Sequence, residues 1–179
     1  MNPLDKQVSP CNRKEITMSK IPVFVSCPSL LNPDQEKKNE IINNLLQEHG
    51  LERRALGRSD YPLENPLTEV YALAKHCAGG IILGFEQFYF DNGIQKRGTI
   101  KEKAVGPVSM PTAWNNLEAG ILYSLDLPLL ILKENDITGG IFDPGTSPYF
   151  VHNFESDINL QQVFSKWASK VYDTYYRIR

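Results

Sequence analysis

The sequence is short of cysteine, short of histidine and free of long apolar runs, and each shortage removes a class of protein. Cys11, Cys27 and Cys77 are an odd number, spaced by 16 and 50 residues. That is neither a disulfide framework nor a zinc pattern. His49, His76 and His152 are scattered without metal-ligand spacing, so no metal site is expected. No apolar stretch approaches the roughly 20 residues that a membrane-spanning helix needs. Residues 1–20 are polar, carry Pro3 and Pro10, and hold no apolar core of the kind a secretory signal requires. They read as a flexible leader. Nineteen Lys and Arg against 21 Asp and Glu leave a net charge of −2, which offers little to a nucleic-acid backbone or an anionic membrane. There is no Walker-type loop and no G-x-G-x-x-G fingerprint, so neither an NTPase nor a redox Rossmann enzyme is supported. These absences lead us to expect no nucleic-acid partner, no membrane partner and a cytoplasmic location.

What is present is an alternating pattern in a chain of 179 residues, 41% hydrophobic, long enough for one ordinary domain. Ile21-Pro22-Val23-Phe24-Val25-Ser26-Cys27 is a short β-branched run between turn residues and predicts a buried strand. Asn32-Pro33-Asp34 then gives an N-cap, a proline at the first helical position and an early acid, followed by the stripe Ile41, Ile42, Leu45 and Leu46 up to Gly50. Residues 51–56 read as an edge-quality strand, diluted by Glu52, Arg53 and Arg54. Asn65-Pro66 repeats the helix start, with Leu67, Val70, Tyr71 and Ala74 on one face. Ile81-Ile82-Leu83 follows as a strand.

The stretch 84–110 is aromatic and glycine-rich. Asn92-Gly93 predicts a tight hairpin turn within it, and a connection of this length suggests a lid over a site. Phe88, Tyr89 and Phe90 fit a lid, an oligomer contact or plain packing. A third helix is expected from Thr112 to Asp126, with Trp114, Leu117, Ile121, Leu122 and Leu125 inward. Residues 127–132 are apolar enough for a strand covered on both sides. Tyr149-Phe150-Val151 reads as a last strand, and residues 156–176 as a final helix with Leu160, Val163, Phe164, Trp167, Val171 and Tyr175 inward. Alternation with solidly apolar strands predicts an α/β, three-layer sandwich around a mostly parallel sheet of about five strands. Such sheets bind ligands beyond the carboxyl ends of their strands. Residues 26–31, 57–64, 84–111 and 133–143 should line that edge, together with the start of the third helix.

Glu118 is the focus of the chemistry. Helical side chains lean toward the N-terminus, so Glu118 should point back to the ligand edge beside the Trp114 indole. A carboxylate against a large ring is poorly solvated, which raises its pKa and makes it a marker of a site. From spacing alone, a boundary residue on a half-exposed face stays open. Cys27, at a strand end, suits a nucleophile less well than a buried thiol, because no histidine lies near it in sequence. Arg58 and Asp60 are loop charges, read either as ligand contacts or as a solvated turn.

The run from Ile21 to Ser26 resembles the first strand of Toll/interleukin-1 receptor (TIR) domains. Trp114-Asn115-Asn116-Leu117-Glu118 resembles the W-x-x-x-E motif of the same family. The continuation from Glu118-Ala119-Gly120 to residues 127–131 resembles bacterial TIR-like proteins, and is equally similar to nucleoside 2-deoxyribosyltransferases, whose nucleophilic glutamate opens an E-x-G helix. The chain departs from the TIR pattern at Cys27-Pro28-Ser29, where many members carry a charged pair, and in the longer 84–110 stretch.

The resemblance implies a flavodoxin-like fold and an enzyme that cleaves an N-glycosidic bond to ribose, with Glu118 as its catalytic residue. Ser26, Cys27, Asp60, Tyr61, Phe85, Trp114 and Asn115 are the accompanying substrate-binding candidates. NAD would be the substrate, with no further cofactor, and the products nicotinamide and ADP-ribose or a cyclised ADP-ribose. The implied setting is bacterial anti-phage immunity, with self-association and a downstream effector that senses the product. As the base departs, C1′ acquires oxocarbenium character that one nearby carboxylate can stabilise. The alternatives are a deoxyribosyltransferase or nucleotide N-glycosidase with Glu118 as nucleophile, and a non-catalytic nucleotide sensor or assembly module.

Overall fold

The computed structural model describes residues 19–56, 65–145, 151–154 and 160–178. Five strands form one parallel sheet: β1 (Ile21–Ser26), β2 (Leu51–Arg54), β3 (Gly80–Gly84), β8 (Leu129–Lys133) and β9 (Val151–Asn153). Their spatial order is β2-β1-β3-β8-β9, and each neighbouring pair is parallel. Helices α1 (Pro33–Glu48), α2 (Pro66–Ala74), α3 (Ala113–Ser124) and α4 (Leu160–Ile178) cover the two faces. This is the flavodoxin-like α/β three-layer arrangement, in which the order reverses between the first and third strands.

The alternation of β1 decides which helices meet which face. Ile21, Val23 and Val25 pack with Ile42, Leu45 and Leu46 of α1 and with Phe164, Trp167 and Val171 of α4. Phe24 turns the other way, onto Val70 and Ala74 of α2 and Ala119 and Leu122 of α3. Ser26 has the same parity as Phe24, so the strand delivers its hydroxyl to the α2/α3 layer just where the strand ends.

The helix starts follow their sequence signals. The Asn32 side chain accepts from the Asp34 and Gln35 amides, and the Gln35 side-chain oxygen accepts in return from the Asn32 amide, closing a capping box. Asn65 caps α2 by accepting from the Leu67 amide, and the Thr112 hydroxyl accepts from the Asn115 amide to cap α3.

Two inward faces differ from the sequence expectation. On α2, Leu67 and Tyr71 are about half exposed, and Leu73 joins Val70 and Ala74 inside. On α3, Trp114 and Leu117 are each 44% exposed, while Asn115, Glu118, Ala119 and Leu122 form the buried stripe. The reason is position. The first two turns of α3 run past the end of the apolar sheet core, where polar partners take over from hydrocarbon.

The 84–110 stretch is a projecting two-stranded ribbon. β4 (Phe88–Phe90) pairs antiparallel with β7 (Val108–Met110), and β5 (Gly93–Gln95) with β6 (Lys103–Val105). Asn92-Gly93 is therefore not the reversal; the chain turns over residues 96–102, where Lys96 and Gly98 adopt positive φ. Asp91-Asn92 instead face Gly106-Pro107 with no change of register, so the ribbon continues through the interruption. Gly106, at φ +150, lies so close that a Cβ would sit 2.3 Å from the Asp91 carbonyl oxygen. Hence the Asn-Gly pair is absorbed into one strand by a longer pairing that outweighs the local turn preference.

Packing is also tight where β3 meets the carboxyl edge. A Cβ added at Gly84 would lie 2.4 Å from the Phe142 ring and 3.1 Å from the Lys133 Cβ. Phe142 is fully buried, which restricts its escape. Gly84→Ala should therefore destabilise the protein by about 1–3 kcal/mol through overpacking. Urea denaturation measures this, and an unchanged midpoint would show that the ring has room to move.

Candidate functional site

A cleft of about 370 Å³ opens at the carboxyl edge of the sheet, lined by the end of β1, the residue Leu56, the start of α2, Gln87 and the first turns of α3. Ser26, Cys27, Trp114 and Glu118 all face it, with Thr112 at the rim of the helix. The cleft therefore lies where the strand order reverses, as expected for this architecture.

Glu118 is 9% exposed. Burial pushes its carboxyl up from 4.5 to about 7, opposed by a hydrogen bond from Ser26 that favours the ionised form. Behind that pair is a continuous polar chain. The Asn115 side-chain amide donates to Ser26 Oγ at 2.7 Å and to the Leu83 carbonyl at 3.3 Å. Its oxygen accepts from Thr112 Oγ1 at 3.0 Å. Asn115 is 1% exposed and Ser26 likewise 1%, so these bonds operate away from water. The helix cap, two strand ends and the carboxylate are thereby tied into one unit.

The sequence candidates divide clearly. Ser26, Cys27, Trp114 and Glu118 share the cleft, and Asn115 stands directly behind it. Trp114, half exposed, lines the same cleft one helical turn before Glu118. Phe85 does not join them; it is fully buried in the α1/α4 layer and stacked on Phe154 at 5.4 Å. Asp60 and Tyr61, with Arg58, lie outside the described residues. Gln87 falls in the 84–111 stretch expected at this edge without having been singled out, whereas Leu56, one residue before the 57–64 loop, had no signal in the sequence. Thr112 was legible only as a helix start.

Beyond Gln87 the root of the ribbon is pinned by a second polar group. Glu134 accepts from the Glu86 amide at 2.7 Å and the Gln35 side chain at 3.2 Å, and pairs with Lys38 at 3.3 Å. The Ser109 hydroxyl donates to Glu86. These bonds hold the strand entering the ribbon against α1 and so fix the backbone that presents Gln87 to the cleft. Among the described residues, no group of three or more His, Cys, Asp or Glu could hold a metal ion. Among the same residues, no helix is long and apolar enough to cross a membrane.

Neither the models of known protein families nor the curated proteins give a match to this chain.

The raised pKa of Glu118 carries a stability consequence. The unfolded chain loses this proton near 4.5 and the folded chain near 7. Between those values the unfolded state ionises first, so stability falls as pH rises, and above about 7 the full penalty remains. Glu118→Gln should accordingly be more stable than wild type by roughly 3 kcal/mol at pH 8.5, and nearly equal to it at pH 4.5. Denaturant titrations at the two pH values measure this. Equal stability at both would show that the carboxyl is well solvated in the folded protein.

Proposed function

We propose that this protein is a TIR-like N-glycosidase that cleaves the nicotinamide–ribose bond of NAD. The observation that carries the proposal is a buried carboxylate, Glu118, the one carboxylate among the described residues lining a cleft that the half-exposed Trp114 also lines, at the reversal point of a flavodoxin-like sheet. A cleft of about 370 Å³ suits part of a dinucleotide, with the remainder extending over the rim. The Trp114 ring offers a face for stacking a base.

The chemistry follows from charge. The nicotinamide of NAD is already cationic, so it leaves with the electron pair of the C1′–N bond and needs no proton. The ribose left behind bears positive charge at C1′ and its ring oxygen. Ionised Glu118 stabilises that charge, or adds to C1′ covalently, in a site where water screens poorly. Water then attacks C1′ and gives up a proton to yield ADP-ribose; attack by a nitrogen of the adenine ring gives a cyclic product instead. Exclusion of water decides between them. The resemblance also supports a bacterial immune role in the cytoplasm, with the product read by a downstream effector. Phe88, Phe90, Ile94 and Met110, about half exposed along the ribbon, are consistent with self-association.

A second chemistry uses the same cleft. With a pKa near 7, Glu118 is ionised enough at mildly alkaline pH to act as a nucleophile on a nucleoside, as in a deoxyribosyltransferase. A glycosyl-enzyme trapped on Glu118 would select it. Recovery of tightly bound, unchanged nucleotide would select a sensor.

Concentrated protein incubated with NAD should release nicotinamide, and Glu118→Gln should lower the rate by at least about a hundredfold. The co-product mass separates hydrolysis from cyclisation. Because the carboxylate is the working form, the wild-type rate should rise with pH through about 7. Trp114→Ala should raise KM more than it lowers kcat. No nicotinamide from concentrated wild-type protein would overturn the NAD assignment.

A further inference from the structure

We propose that the tip of the 88–110 ribbon docks on an anionic lipid surface, with Ile100 entering the hydrocarbon and Lys96, Arg97, Lys101 and Lys103 held against the headgroups. This goes beyond the N-glycosidase reading and does not depend on it. The net charge of −2 that argues against an anionic membrane is a total for the whole chain, and it conceals an uneven distribution.

The ribbon concentrates apolar surface. Six of the fourteen large hydrophobic side chains exposed among the described residues lie on it: Phe88, Tyr89, Phe90, Ile94, Ile100 and Met110. Strand pairing fixes where most of them point. Phe88 stands opposite Met110 and Phe90 opposite Val108, and these four share one face. Ser109 belongs to the other face; it is 6% exposed and its hydroxyl donates to Glu86. That other face meets the body of the protein, so the Phe88 and Phe90 face is turned away from it. The two rings stack on each other at 6.4 Å and stay about half exposed.

At the far end the surface becomes cationic. Residues 94–105 hold four cations against one acid, Glu102, whose carboxylate accepts from the Gly98 amide at 2.5 Å. All four cations are exposed, and none of them makes an ion pair among the described residues. Ile100 stands between them at the reversal, fully exposed. Thr99 orders the turn, its hydroxyl donating to the Lys96 carbonyl at 2.8 Å and accepting from the Lys101 amide at 3.2 Å. The bonded turn thus holds Ile100 outward.

The occupant follows from that combination. A soluble polyanion would satisfy the cations and leave Ile100 in water. A protein partner would have to supply acids and an apolar pocket at the same point. An anionic bilayer supplies both over its whole surface, with phosphates and carboxylates at the level of the cations and hydrocarbon beneath for the isoleucine. Long Lys and Arg stems keep the charged heads at headgroup depth while the tip enters.

Sedimentation of the full chain with vesicles tests this. Protein should pellet with vesicles of phosphatidylcholine mixed with phosphatidylserine, remain in solution with phosphatidylcholine alone, and be released as salt is raised. The double variant Lys96→Glu/Lys101→Glu should lower the partition coefficient at least about twentyfold, since each cation near such a surface is worth roughly fivefold. Ile100→Asp should lower it about tenfold or more with all four cations retained. These positions are exposed, so urea midpoints should match wild type and exclude a folding defect. No pelleting with the mixed vesicles overturns the proposal. Equal pelleting by Ile100→Asp also overturns it, because the contact would then be charge alone. A concentration-dependent dimer that Ile100→Asp dissolves, without vesicle binding, would assign the tip to a second copy and overturn the lipid reading. Nicotinamide release plays no part in this readout, so failure here leaves the NAD proposal standing, and failure of that proposal leaves this one.

Discussion

The side chain of Asn115 is the point at which helix, sheet and carboxylate meet. It sits at the third helical position of α3, where its amide N–H would be unsatisfied without the Thr112 cap, and its side chain bonds the ends of two strands. A buried amide of this kind is costly unless every donor and acceptor finds a partner. Here both side-chain donors and the oxygen do. The outcome is that α3 cannot slide or rotate over the sheet without breaking several buried bonds together, so the position of Glu118, one turn later, is set by the fold and not by its own rotamer alone.

A comparable economy governs the ribbon root. Gln35 closes the capping box of α1 with its oxygen and spends its nitrogen on the Glu86 carbonyl and Glu134. A local signal for a helix start thus doubles as a long-range strut. An isolated two-stranded ribbon is marginal in water, and 88–110 makes few contacts that would bury its apolar residues. The bonds among Gln35, Glu86, Ser109 and Glu134 supply the anchorage that hydrophobic burial does not.

Much of this was legible in the sequence because it rests on period and on capping chemistry. The five-stranded sheet, the Asn-Pro starts of α1 and α2, and the three-layer order follow from short β-branched runs alternating with capped amphipathic stripes. Glu118 and Trp114 came from a spacing on α3 that puts both near the edge. The inward face of α3 was not legible, because periodicity ranks apolar residues inward, whereas at this end of the helix a polar network replaces the core and leaves Trp114 and Leu117 outside. Phe85 shows the converse. An aromatic after a strand looks available for stacking, yet only the packing of Phe154 against it reveals a core residue. The ribbon escaped for a third reason, since Asn92-Gly93 is a strong turn signal locally but non-local pairing of 88–95 with 103–110 decides the register.

These placements bear on why Glu118 retains its raised pKa. A helix N-terminus favours a negative charge by about 0.3–1 kcal/mol, but the effect fades beyond the first turn. Glu118 is six residues past the Thr112 cap, and the Asn115 amide that might have faced it is already taken by the Thr112 hydroxyl. The dipole is therefore spent on the cap. Among the described residues Ser26 is the donor that remains, and one hydrogen bond to a charged group is worth about 1.5–3 kcal/mol. Full burial of a carboxylate costs more than that, so the balance stays on the side of the proton until about pH 7. Had the same residue stood in the first turn, cap amides and dipole would have held it ionised well below neutrality. A shift of a single helical turn along α3 thus separates a structural capping acid from a carboxylate able to change protonation state near neutral pH.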